Sequence, residues 1–309
     1  MTDNRFAFQQ HSSNPAMTNS LKYVLVTPAR NEAQFIDLTI RSMIAQTHRP
    51  LKWVIVSDGS TDGTDEIVKE YLTDHPWIVL VRMPERKERH FAGKVHAFDA
   101  GFDRVKDLDF DVIGNLDADV SFEADHFEYL LKRMAENERL GLAGAPFREG
   151  NFQYDYRYSN IENVWGGCQL FRRKCFEEIG GYVPLKGGGI DHVAVLSARM
   201  RGWQTRTFTE KVCQHHRSMG TAQHDNLKSW IRQGQKDFTL GNHPLWQACR
   251  VLYQMRHRPY IISGLALGWG YTRSLLEHHE IPMSREIIDF VRSEQICRLA
   301  KLFRIRTVM

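Results

Sequence analysis

Between residues 21 and 116 the chain alternates two kinds of segment. Residues 21–27, 51–57, 78–83 and 111–116 are short apolar runs rich in β-branched side chains, and they read as buried strands. Between them lie residues 33–46 (Phe35, Ile36, Ile40, Met43 and Ile44), 62–72 and 94–105, all with helical character, the second opened by Ser60 or Thr61 as a cap. Strand–helix alternation predicts an α/β fold: a mostly parallel central sheet with helices on both faces. Right-handed crossovers then bring the carboxyl ends of the strands to one edge, where such sheets hold their ligands.

After Phe147 the pattern loosens. Residues 150–163 read as a loop, 169–172 as a strand, 174–179 as a short helix, 191–201 as a helix and 205–208 as a strand. From about residue 226 the chain reads as helical. The expected organisation is a polar, disordered lead over 1–20, a main domain over 21–225 and a helical C-terminal extension over 226–309.

Two acidic turns fall at predicted strand ends. Asp58 sits in Ser57-Asp58-Gly59-Ser60-Thr61-Asp62-Gly63-Thr64, after the second strand and before a helix. A helix N-terminus there points at the same space as the carboxylate, although Asp-Gly alone also makes simple turns. Asp117 and Asp119 follow the fourth strand. Residues i and i+2 of an extended segment face the same way, so both carboxylates can meet one hard cation, Mg²⁺ or Mn²⁺. Alternatives are a solvated acidic turn, or a calcium loop formed by Asp117, Asp119, Ser121, Glu123, Asp125 and Glu128. Phe122 stands where that loop needs glycine. Pro28-Ala29-Arg30-Asn31-Glu32 follows the first strand, with Asn31 a candidate helix cap.

The four motifs Pro28-Ala29-Arg30-Asn31-Glu32, Val56 to Asp62, Gly93-Lys94 and Leu116-Asp117-Ala118-Asp119 occur in the order and spacing that resemble the family-2 glycosyltransferases. These are inverting enzymes on the GT-A fold, met especially in bacterial polysaccharide assembly. The resemblance spans about residues 23–203. It implies that Pro28, Ala29 and Glu32 line a nucleoside pocket, that Asp58 binds the base edge, and that Lys94 lies near the nucleotide. It further implies that Asp117 contacts ribose or the metal-bound diphosphate and that Asp119 is the main ligand of Mn²⁺ or Mg²⁺. Asp191, after Gly187-Gly188-Gly189-Ile190, stands at the position of the catalytic base, though Ile190 replaces the usual Glu. An N-cap is its plainer role. Trp165, Gly166 and Gly167 match the stretch that passes donor sugar and acceptor. Of His215 and His216 only one can face the site, and His215 is the expected third metal ligand. Arg217 and Arg232 are candidates to reach a phosphate.

The implied activity is inverting transfer of a sugar from a nucleotide-diphosphate donor, expected to be a UDP-sugar, to an acceptor hydroxyl. The acceptor would be a saccharide or a lipid-linked saccharide, in exopolysaccharide, capsule or lipopolysaccharide assembly. Alternatives are a catalytically inactive sugar-nucleotide-binding scaffold and a sugar nucleotidyltransferase. The Gln-x-x-Arg-Trp motif of processive relatives is absent, which favours adding one or a few residues.

Charge and cysteine content bound the setting. The net charge of +4 over 309 residues, without a dense basic stripe, excludes nucleic acid as the expected partner. Five scattered cysteines without a Cys-x-x-Cys pair suit a reducing compartment. With no leader-like segment and with its longest apolar stretch (260–271) too short to span a bilayer, the chain is expected to be cytoplasmic. A basic amphipathic segment near the C-terminus (Ile296, Leu299, Ala300 and Phe303, flanked by Arg298, Lys301, Arg304 and Arg306) suggests a peripheral position at the inner face of the cell membrane, or packing on the core.

Overall fold

The structure, a computed structural model, describes residues 20–85, 92–150, 152–153, 160–217 and 227–306. The expected disordered lead lies outside the described residues. Strands β1 (Tyr23–Ala29), β2 (Lys52–Asp58), β3 (Ile78–Met83) and β4 (Val112–Leu116) alternate with helices α1 (Ile36–Ile44), α2 (Thr64–Leu72) and α3 (Ala92–Phe102). β4, β1, β2 and β3 lie side by side and parallel. Their residues alternate between two cores. Val24, Val26, Val54 and Val56 face α3, while Tyr23, Leu25, Trp53 and Ile55 face α1. A strand buried on both faces must be apolar at every position, which is why β1 and β2 read as unbroken runs.

The sheet continues through three further strands, β6 (Leu140–Gly144), β9 (Cys168–Arg172) and β10 (Gln204–Thr207). The order is β10-β6-β9-β4-β1-β2-β3, with β9 antiparallel to both its neighbours. The remaining strands make a small second sheet, β5-β11-β7-β8: β5 (Val120–Ser121), β7 (Phe147–Glu149), β8 (Phe152–Gln153) and β11 (Cys213–His215). Helix α4 (His126–Ala135) packs behind β6. The calcium-loop alternative fails here. Val120 and Ser121 are strand, and the carboxylates of Glu123 and Asp125 are taken by Lys211 at 2.9 and 2.6 Å.

Two cap assignments also change. The N-cap of α2 is Gly63 in a left-handed conformation (φ +93°), not Ser60 or Thr61. Asn31 does not cap α1, whose N-cap is Phe35. Its side chain instead accepts a hydrogen bond from the Thr61 N–H at 2.9 Å, and Asp62 accepts from the Ala33 N–H at 3.0 Å. These bonds stitch the turn after β1 to the turn after β2.

Beyond β9 come α5 (Arg173–Ile179), α6 (Ile190–Met200), α7 (Leu227–Thr239), α8 (Pro244–Gln254), α9 (Ile262–Leu276) and α10 (Arg285–Arg306). Ile287 and Val291 of α10 join the core beside α6. Arg199 of α6 binds Glu294 of α10. Of the apolar face suggested for membrane contact, Leu299 is buried and Ile296 exposed, and the side chain of Phe303 lies outside the described residues. Among the described residues no helix is long and apolar enough to cross a membrane.

Candidate active site

Parallel pairing brings the ends of β1, β2 and β4 to one edge. Pro28 and Ala29 close β1 opposite Val56 and Ser57. Asp58 ends β2, is almost wholly buried, and lies 3.9 Å from the Arg30 guanidinium. Asp117 and Asp119 follow β4 directly, and Asp119 is 7% exposed.

The second sheet completes this edge. β11 runs antiparallel to β5 with His215 opposite Val120. That register sets the His215 Nε2 3.5 Å from Asp119 Oδ2, while its Nδ1 lies 3.5 Å from Glu149 Oε2 on β7. His216 turns the other way. Its N–H donates to the Asp119 carbonyl at 2.9 Å, and its ring meets Ser121 Oγ at 2.8 Å and stacks on Phe35. Trp165 packs edge-on against His215, with centroids 5.6 Å apart, and against Phe147. Arg217, just past β11, binds Glu32 and lies 3.2 Å from Asp119 Oδ2.

The charges respond to one another. Burial and the nearby Asp119 push Glu32 up to about 7, against the pull of Arg217. Burial also raises Asp119, but His215, Arg217 and Lys94 overcome it and hold its carboxyl below the usual range. Burial depresses His215, yet the carboxylates of Asp119, Asp117 and Glu149 reverse this and leave the imidazole raised. Burial dominates at Asp117 and raises it, despite Lys94.

Asp191 lies in the first turn of α6, behind its Gly189 N-cap (φ +88°). It is therefore not the cap. With Lys94, Asn115, Gly166, Tyr182 and Ile190 it lines a narrow crevice. A Cβ on Gly166 would stand 2.6 Å from the Asp191 carboxylate, so only glycine admits this approach. Gly167 is similarly closed off by the Trp165 ring. The two glycines are fixed to β4. The Gly166 carbonyl accepts from Asn115 Nδ2 at 2.7 Å, and the Gly167 carbonyl accepts from the Asp117 N–H at 2.8 Å. Gln169, held by Tyr182 at 2.7 Å, donates to the Asp191 carbonyl at 3.4 Å. Sequence reasoning misses Asn115, Glu149, Gln169 and Tyr182. Each is a lone polar or aromatic residue whose position follows only from tertiary pairing.

The donor set can be weighed for a divalent cation. Asp119 and His215 offer a carboxylate and an imidazole that already face each other, suited to Mn²⁺ or Mg²⁺. His215 Nδ1 and Glu149 Oε2 are buried without a hydrogen-bond partner, so the cluster has unmet polar capacity. Asp117 is different. Its carboxylate is engaged by Lys94, and the donor atoms of Asp117, Asp119 and His215 do not gather within 4.8 Å of one another. Among the described residues the group that does so is His126, Cys168 and Cys213, fully buried beneath the site and built of soft donors.

This architecture defines a GT-A fold, shared with glycosyltransferases of known structure. The mannosyltransferase PcManGT from Pyrobaculum calidifontis, solved with GDP-Man and Mn²⁺, matches with a TM-score of 0.56 at 19% identity, covering 94% of this chain and 84% of that one. S. aureus TarS in complex with UDP-GlcNAc matches with a TM-score of 0.52 at 10% identity, over 83% and 73%. The chain belongs to the glycosyl transferase family 2, which it matches over residues 24–179. A relative in sequence is the glycosyltransferase GlyA of Streptococcus pneumoniae serotype 4, 28% identical over 145 residues, 47% of this chain. Another is the poly-beta-1,6-N-acetyl-D-glucosamine synthase of Staphylococcus epidermidis, 26% identical over 117 residues, 38% of this chain. The chain spans only 18% and 26% of the length of these two relatives.

Proposed function

We propose that the protein transfers a sugar from a nucleoside-diphosphate donor to an acceptor hydroxyl, with inversion, and that Asp191 is the base. The observation that carries this reading is the placement of Asp191 and Lys94 in one crevice, on the side of Asn115 and Asp117 where β4 ends. A carboxylate there can take the acceptor proton as the hydroxyl attacks. Lys94, raised because Asp117 outweighs its burial, stays cationic beside the place where diphosphate charge would develop. Asp58, at the end of β2, and Arg30, just past β1, are the groups for the nucleoside. Gly166 and Gly167 let the Asp191 carboxylate and the Trp165 ring come close to the backbone beside the metal motif.

Asp119 and His215 would hold Mn²⁺ or Mg²⁺, with Asp117 joining once released from Lys94. The cation, when bound, neutralises the leaving diphosphate. Arg217 would have to leave the Asp119 carboxylate as the cation arrives, and its pairing with Glu32 gives it a place to stay. A UDP-sugar donor and a saccharide or lipid-linked acceptor in bacterial polysaccharide assembly complete the proposal. The UDP-GlcNAc complex of TarS supports a UDP donor, the GDP-Man complex of PcManGT supports a GDP donor instead, and the poly-beta-1,6-N-acetyl-D-glucosamine synthase supports polysaccharide assembly.

A thermal-shift panel of UDP, GDP, CMP and dTDP, each with and without Mn²⁺, tests the donor site, because a ligand specific for the native state raises its melting temperature. A Mn²⁺-dependent shift with one nucleotide, lost in Asp119→Ala, is expected. No shift with any of them would count against the reading.

A further inference from the structure

The α8–α9 hairpin leaves an apolar helix face uncovered. α9 buries Leu267 and Tyr271 together with small residues, Ser263, Gly264, Ala266, Gly270 and Ser274. Its other large apolar side chains face out. Ile262, Leu265, Trp269 and Leu276 are all at least half exposed, and their spacing places them on one side of the helix. α8 adds Leu245, Leu252 and Tyr253, and the connection adds Tyr260 and Ile261. Leu252 is 63% exposed and Trp269 57%.

The inward face explains the outward one. A Cβ on Gly270 would meet the Ile231 carbonyl of α7 at 2.0 Å, and one on Gly234 of α7 would meet the Leu267 carbonyl at 2.1 Å. The backbones touch through small residues, a packing mode that leaves bulky apolar groups free to face an apolar medium. An exposed apolar surface of this extent marks an interaction site.

Charge selects the partner. Residues 244–276 contain four arginines and no aspartate or glutamate. Arg250 is tied to Asp237 and Arg273 to Glu277, while Arg256 and Arg258 stand exposed at the turn between the helices. Trp and Tyr beside a basic rim fit the boundary between lipid headgroups and acyl chains.

We propose that the exposed face of the α8–α9 hairpin docks on an anionic phospholipid bilayer, with Leu252, Ile262, Leu265 and Trp269 entering the interface and Arg256 and Arg258 meeting headgroup phosphates. The hairpin is fixed to the candidate site through α7, since a Cβ on Gly189, two residues before Asp191, would meet Leu240 at 3.1 Å and Lys236 at 3.4 Å. Docking stands on the exposed face and does not depend on the catalytic reading.

Flotation of the full chain with phosphatidylcholine vesicles, with and without phosphatidylglycerol, tests this. The protein is expected to float with the anionic vesicles. The triple variant Ile262→Ser/Leu265→Ser/Trp269→Ser should bind them at least about tenfold less while keeping its circular dichroism melt, because the three positions are exposed. The double variant Arg256→Gln/Arg258→Gln should lose about tenfold on anionic vesicles only. Failure of the unaltered protein to float, or unchanged flotation of the triple variant, overturns the proposal. Equal flotation with neutral vesicles overturns the anionic assignment. A dimer in solution that the triple variant converts to monomer, without flotation, assigns the face to a second copy instead.

Discussion

His215 Nε2 stands 3.5 Å from Asp119 Oδ2 because two very short strands, β5 and β11, pair antiparallel beside the main sheet. Neither strand exceeds three residues. Their pairing turns a carboxylate and an imidazole from distant parts of the chain into one donor set. Replacing His215 with Ala should weaken Mn²⁺ binding by at least about tenfold, measured by titration of the paramagnetic ion. Unchanged affinity would remove His215 from the metal shell.

Gly166 has a sharper geometric role. The Cβ added by Gly166→Ala would press on the Asp191 carboxylate at 2.6 Å, and the Gly166 carbonyl is bound to Asn115. Asp191 must then shift. A displacement of about 1 Å at a base can cost about 100-fold in rate. The variant should fold, with an unaltered far-UV spectrum, and lose kcat more than it raises KM. Full activity would show that the Asp191 side chain does not need its present position.

Glu32 gives a pH dependence with a definite sign. Burial and Asp119 raise it from 4.5 to about 7, so the folded state holds this proton more tightly than the unfolded chain does. Its contribution to stability is present below pH 4.5 and is lost as the pH rises through about 7. A tenfold difference in proton affinity between the two states is worth about 1.4 kcal/mol, so roughly 1 to 3 kcal/mol should disappear across this window. Glu32→Gln should flatten that part of the stability curve in denaturant titrations. An equally steep loss in the variant would place the titrating group elsewhere.

The first half of the fold is legible because β1, β2 and β4 are buried on both faces, so their apolar runs are continuous, and the edge strand β3 keeps an apolar run up to Arg82. The elements that escape sequence reading do so for physical reasons. β5, β7 and β11 are too short to show a period, and exist because they pair with one another. α4 carries Phe127, Leu130, Leu131 and Met134 at helical spacing, yet the acidic residues leading into it imitate a calcium loop. Strand β9 is visible, but its antiparallel insertion between β4 and β6 is not, because direction leaves no mark on composition.

The candidate site divides in the same way. Asp58, Asp117 and Asp119 stand out because they end or follow apolar strands, whereas Asp191 is singled out only by the family resemblance. Glu149 reaches His215, and Tyr182 reaches Asp191 through Gln169, only across the fold. The pairing of Asp117 with Lys94 rather than with Asp119 and His215 is likewise a tertiary choice. It arises where α3 faces the end of β4.

Donor turnover with and without the Asp191 carboxylate tests the central claim most directly. UDP-GlcNAc and GDP-Man, each with Mn²⁺, are incubated with the protein and with Asp191→Ala, and nucleoside diphosphate release is followed. The account predicts release from one donor, slowed at least about 100-fold in a folded Asp191→Ala protein. Equal rates in the two proteins, or no release from either donor, would contradict it.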